Sequence, residues 1–184
     1  MSETNLRKKA KVITSRIHKY VENLPIMKEI MSSDLDPERY LKYLIQIQEI
    51  YNAIEYNKIY SELGWDVYLA ENYQSDIKLI QSNFLIFDYK YLEITDIYAS
   101  YLSSITNKDA LAGHAYVRYM ADLFGGSFMA NKLYDKFPVE AYNIDRKQIK
   151  IITEYINNNI ENEELFLSEV RNAFMSHAAI LEMI

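Results

Sequence analysis

The chain has no cysteine, which excludes a disulfide framework, a thiolate metal site and a cysteine nucleophile, and suits a reducing cytoplasm. Three prolines and four glycines in 184 residues are too few turn formers for a many-stranded protein. No apolar run is long and charge-free enough to span a bilayer. The opening "MSETNLRKKAKVITSRIHKY" carries charge with no apolar core behind it, so neither a membrane helix nor a secretory signal is expected. Positive charge is in the minority: 20 Lys and Arg against 26 Asp and Glu give a formal net charge of -6, which argues against nucleic acid as the main partner.

What the chain does hold is apolar material in long periodic blocks. With 49% hydrophobic and 25% charged residues, residues 1–184 read as one domain with a sizeable core, cytoplasmic and all-α, of seven or so helices. The first runs from about Thr4 to Asn23, and Pro25 opens the short "PIMKEIM". Asp36 as N-cap, Pro37 at the first helical position and Glu38 in the first turn open a long helix that Gly64 closes. A weaker segment around "VYLAENYQSDIKLI" follows, then "DYKYLEITDIYASYLSSI", then a helix from "NKDALAGHAY" to "KLYDKF" before Pro138, then "DRKQIKIITEYINNN" and "EELFLSEVRNAFMSHAAILEMI".

Three of the four glycines, Gly113, Gly125 and Gly126, fall in "LAGHAYVRYMADLFGGSFMANKL", inside an otherwise helical pattern. Each weakens a helix interior by roughly 1 kcal/mol relative to alanine, so some other body must approach the bare backbone closely. At 100° per residue His114, Arg118, Ala121, Asp122 and Gly125 fall within an arc of about 100°. Taken alone, Arg118 and Asp122 are an i,i+4 surface ion pair, and Ala121 with Gly125 is explained better by helix packing than by a ligand. Charge is uneven too: Arg7, Lys8, Lys9, Lys11, Arg16, Lys19 and Lys28 face only Glu3 and Glu22 in the first 28 residues. An ordinary solvated helix face accounts for that run, and an anion site is the alternative.

"HAYVRYMADLFGG" resembles the distal-helix signature of the heme oxygenase family, H-x-Y-x-R-Y-L-G-D-L-S-G-G, in one register. "TSRIHKYVENLPIMKEI" is similar to the family's proximal helix, whose histidine ligates the iron, here His18. "IQEIYNAIE", bearing Tyr51, resembles its second long helix and "EVRNAFMSHAAILEMI" its last core helix, so the likeness runs through nearly the whole chain in order. It is to the biliverdin-producing, bacterial-type members.

The resemblance implies an all-α fold with heme held between a proximal and a distal helix. It also implies oxidative opening of heme at a meso carbon, α by expectation, to biliverdin, carbon monoxide and ferrous iron. Heme is then substrate and cofactor; O2 and an external electron donor, a ferredoxin or flavoprotein reductase, are the other partners. By register, His18 is the metal ligand, and Asp122, oriented by Arg118 and joined by Tyr51 and Tyr98, is the catalytic group that holds water for proton delivery. Ala121, Gly125 and Gly126 lie under the distal face, where a side chain would block oxygen. Lys11, Tyr116, Arg146 and Lys150 are the expected propionate partners, and the basic N-terminal face also suits an acidic electron donor.

Three departures stand out: Ala121 where the family has glycine, Phe124 where it has serine, and His177 in place of an asparagine of the distal water network. They keep open a non-catalytic heme-binding or heme-sensing protein of the same fold; retention of Arg118 and Asp122 favours the enzyme. A ferritin-like di-iron protein needs Glu-x-x-His pairs, but Ser15, Leu111 and Phe174 precede the three histidines by three positions. The thiamin-related hydrolases of this helical fold need a cysteine nucleophile.

Overall fold

The structure is a computed structural model that describes residues 6–87 and 90–184. All of its regular elements among the described residues are helical: α1 Leu6–Glu22, α2 Pro25–Ser32, α3 Pro37–Glu55, α4 Ala70–Phe84, α5 Glu93–Ser104, α6 Lys108–Ala121, α7 Ser127–Leu133, α8 Lys147–Asn158 and α9 Glu163–Glu182. The expected first residues of two helices, Thr4 of the first and Asp88 of "DYKYLEITDIYASYLSSI", lie outside the described residues. No described helix is long and apolar enough to cross a membrane.

Helix starts follow their local chemistry. Asp36 caps α3 by accepting from the Arg39 amide at 3.0 Å, with Pro37 next. The expected continuation of that helix to Gly64 does not occur: α3 ends at Glu55, and a separate 3₁₀ turn, Tyr60–Leu63, ends at Gly64 with φ 63°. Buried Asn57 makes this break by donating to the Leu102 and Ile105 carbonyls at 2.9 and 3.0 Å, which anchors the exit of α3 to the end of α5.

The core has two connected parts: α9 lies against both α1 and α6, and α3 lies against α4 and α5, with α6 touching α3. Buried carboxylates fasten the loops between them. Asp109 accepts from the Asn162 amide at 2.7 Å, tying the start of α9 to that of α6. Asp76 on α4 accepts from the amides of Glu140 and Ala141 at 3.0 and 2.8 Å, which fixes the 3₁₀ turn Glu140–Tyr142 over α4.

The glycine-rich helix is not continuous. Between α6 and α7 the backbone passes through a π turn, Asp122–Gly126, and such turns insert an extra residue into the helical register. Its glycines divide into three cases. A β-carbon on Gly113 would lie 2.9 Å from both Glu169 Cβ and the Phe166 carbonyl, so that glycine lets α6 and α9 pack closely. One on Gly126 would meet the Tyr142 ring at 3.1 Å. One on Gly125 would meet nothing within 4 Å.

Gly113→Ala is therefore expected to destabilise the chain by about 1–3 kcal/mol, because the intruding methyl meets backbone of α9. Gly125→Ala should leave stability unchanged or raise it by up to about 1 kcal/mol. Chemical denaturation of the two variants checks the contrast.

Candidate functional site

Asp122 opens the π turn and is 2% exposed. A carboxylate out of water must have every lone pair engaged. Its Oδ2 accepts from the hydroxyls of Tyr51 on α3 and Tyr73 on α4, at 2.6 and 2.8 Å. Its Oδ1 pairs with the Arg118 guanidinium one turn earlier on α6. The i,i+4 pair expected on the surface is thus buried, at the junction of three helices. Burial, and then the Asp122 charge, raise the phenols of Tyr51 and Tyr73 well above their ordinary range, so both remain hydrogen-bond donors at any pH the fold survives. The Arg118 guanidinium also lies over the Tyr51 ring, 5.7 Å from its centroid.

Burial changes from residue to residue at the turn. Asp122 points inward, while Ala121 is exposed and Gly125 is half-buried. The open space at Gly125 begins three residues from the buried carboxylate, and the exposed rings of Phe124 and Phe128 flank it in sequence.

Tyr98 does not join Asp122. Its hydroxyl bonds to Nδ1 of His114 at 2.7 Å, and Nε2 of His114 pairs with Glu169 Oε2 at 2.7 Å. Tyr101 and Asn172 donate to the same Glu169 oxygen at 3.0 and 3.3 Å. The hydrogen bond from His114 holds the Glu169 carboxyl below its usual range, against burial. His177 is 5% exposed, yet among the described residues neither ring nitrogen has a partner; its ring meets that of Tyr98 edge-on at 5.8 Å. Arg118 Nε is likewise buried and unpaired. Burial lowers the His177 pKa well below its ordinary value, and the charge of Arg118 and then His114 add to the effect.

On α1, His18 is exposed, with Nδ1 3.2 Å from Glu22 Oε1 and its ring 5.9 Å from that of Phe174. A carboxylate on one ring nitrogen orients the imidazole and leaves the other free for a metal. Arg7, His18 and Lys11 fall within an arc of about 40° on α1. The Arg7 guanidinium lies 5.0 Å from the centroid of the Phe124 ring, so the N-terminal end of this row approaches the π turn. Tyr116 is beside Arg7: burial raises its phenol, and the charge and hydrogen bonding of Arg7 oppose that. Arg146 donates to Ser127 Oγ at 3.0 Å, at the start of α7. Lys11 is exposed, and Lys150 pairs with Glu154 on the exposed side of α8 at 3.7 Å.

The structure thus gathers Arg118, Asp122 and Tyr51 into one buried unit and places Tyr98 in a neighbouring one. Two residues were missed from the sequence. Tyr73 lies in the segment whose helix was least legible, where nothing local marks a tyrosine as inward. Arg7 was visible only as one member of a basic run.

Tyr51→Phe and Tyr73→Phe should each cost about 1.5–3 kcal/mol, the range for a hydrogen bond to a charged group. The double variant should cost more than the sum, because Oδ2 then has no donor, and a denaturation cycle measures the excess. His177 gives a pH signature. Folded, it stays neutral among Arg118, His114 and Tyr98; unfolded, it takes up a proton near its ordinary 6.5. Stability must therefore fall as pH drops below 6.5, by up to about 1.4 kcal/mol per pH unit. His177→Asn should remove this part of the slope in melts from neutral to mildly acidic pH.

Comparison with known proteins agrees with this geometry. Residues 4–182 match the family model described as heme oxygenase. The chain is 26% identical over 170 residues to a heme oxygenase of Guillardia theta and 25% identical over 185 residues to one of Porphyra purpurea. Each alignment covers 87% of this chain and 69% of the relative. In three dimensions it overlays on the heme oxygenase of Leptospira interrogans with a TM-score of 0.82 at 19% identity, covering 98% of this chain and 100% of that one. It also overlays on heme oxygenase-1 of the cyanobacterium Synechocystis in complex with heme, TM-score 0.80 at 18% identity, covering 98% and 92%. A match that takes in both the histidine-bearing α1 and the carboxylate turn, with the fold that holds them, establishes that the chain belongs to the heme oxygenase family.

Proposed function

We propose that the chain binds heme between α1 and the π turn and opens it at a meso carbon, the α carbon by expectation, to biliverdin, carbon monoxide and ferrous iron. The observation that carries this reading is a buried carboxylate fixed by three donors, three residues before a glycine that has none of the described residues but its chain neighbours within 4 Å of its open side.

The residues fit the group. A flat apolar macrocycle needs apolar walls, and Phe124 in the π turn and Phe128 just after it are large, apolar and exposed. His18 would hold the iron through Nε2 while Glu22 holds Nδ1, a contact that orients the ring. Arg7, Lys11, Tyr116, Arg146 and Lys150 supply cationic and hydroxyl partners for the propionates, and Arg146 is already fastened to the start of α7. Heme, when bound, supplies the oxygen-activating iron and the carbon that is oxidised.

The rest of the chemistry belongs to the chain. Gly125 keeps the distal wall low. Asp122 holds water and passes protons through it, and Tyr51, Tyr73 and Arg118 prevent its carboxyl from turning away. Neutral His177 and Arg118 Nε, both unpaired in the protein, provide further water partners. Electrons come from an acidic donor, a ferredoxin or flavoprotein reductase, against the exposed basic residues Lys11, Arg16 and Lys19 of α1.

Heme titration followed by a reducing system checks the reading. The chain should bind one heme with a Soret band that His18→Ala shifts or abolishes, and should then lose that band as biliverdin absorption grows. Asp122→Ala should keep binding and lose bilin formation by about a hundredfold or more. A stable oxy or ferric spectrum in the unaltered chain would mean a heme carrier or sensor instead.

A further inference from the structure

Four buried titratable side chains take no part in holding Asp122: Glu169, His114, Tyr98 and His177. They are arranged in a row. Glu169 is at the outer end, where Tyr101, 42% exposed, and Asn172 donate to it. His114, 1% exposed, is bonded at both nitrogens, to Glu169 on one side and Tyr98 on the other. Tyr98 meets His177, whose two nitrogens have no partner.

Packing alone accounts poorly for this row. A buried polar group costs stability unless satisfied, and His177 leaves two atoms unsatisfied at the place where the row ends. An imidazole bonded at both nitrogens is the one side chain that takes a proton on one atom and releases another from the opposite atom.

We propose that Glu169, His114 and Tyr98 form a proton path from the surface to His177, supplying the distal side by a route separate from Asp122. The inference rests on the reading above, that the distal side consumes protons. The row passes a proton inward when a Glu169 carboxyl protonated from solvent donates to His114 Nε2, Nδ1–H donates to the Tyr98 oxygen and the Tyr98 hydroxyl turns toward His177. Three protons then each move one link, from Glu169 to Nε2, from Nδ1 to Tyr98, and from Tyr98 through a bridging water to His177. One proton has entered at Glu169 and one has left at His177; Nε2–H then donates to the ionised Glu169 and the Tyr98 hydroxyl to Nδ1, and the same moves reversed carry a proton back to solvent. Neutral His177 accepts the inward proton and hands it on from its second nitrogen.

Two substitutions break the path and keep the packing. Tyr98→Phe removes the hydroxyl and keeps the ring. Glu169→Gln still accepts from His114 but cannot take up a proton. In 15N-histidine-labelled chain carrying zinc protoporphyrin, which closes the cleft without turnover, exchange of the His177 imidazole proton with solvent should slow about tenfold or more in each variant. In the heme-loaded chain each should slow single-turnover bilin formation and enlarge its solvent deuterium effect, with the Soret band of bound heme unchanged. Wild-type exchange in either variant overturns the path even if bilin is formed. Failure of the unaltered chain to form bilin overturns the enzymatic reading, and the zinc-protoporphyrin exchange then still decides the path.

Discussion

Asp122 is a carboxylate removed from water, and the rest of the site is arranged around that constraint. An isolated buried charge would cost many kcal/mol, and the cost is offset only where donors converge on it with good geometry. Here they come from α3, α4 and α6, so one carboxylate holds together three helices that are far apart in sequence. The same donors hold the carboxyl in one orientation. Structural and chemical needs coincide at this residue, and a change that loosens one loosens the other.

The buried polar residues then fall into two groups. Around Asp122 every contact is made by a group that stays in one protonation state: two phenols pushed up by burial and a guanidinium. Around His114 the contacts alternate between groups that exchange protons readily, a carboxylate and an imidazole, with a phenol between them and His177. Arg118 and His177, each with buried unpaired nitrogen, lie between the two groups, and the charge of Arg118 helps to hold His177 neutral. A fixed carboxyl on one side and a protonatable file on the other divide the tasks of holding water and supplying protons to it.

Much of this was legible in the sequence because it depends on local spacing. Asp36 and Pro37 announce α3, and Arg118 and Asp122 stand one turn apart. What was not legible depends on long-range contact or a change of period. The end of α3 at Glu55 is set by Asn57 reaching two carbonyls more than forty residues away. The π turn alters the register in the middle of a pattern that fits an ordinary helix. Tyr98 lies one residue beyond the reach of any sequence rule: its partner was settled by the side-by-side packing of α5, α6 and α9 around His114.

The glycines show how one residue type serves separate ends within fourteen positions. Gly113 admits the backbone of α9, and Gly126 admits the ring of Tyr142, which Asp76 fixes in place through the preceding amides. These two are required by the protein's own packing and would be needed whatever the chain bound. Beside Gly125, by contrast, none of the described residues other than its chain neighbours makes such an approach. Glycine there weakens the turn without a return in packing, and so the return lies in what the open side receives. The departures from the family pattern fit the same division. The Ala121 methyl is directed to the exposed side, and Phe124 projects beside Arg7 of α1. Apart from its chain neighbours, none of the described residues comes within 4 Å of where a β-carbon on Gly125 would stand.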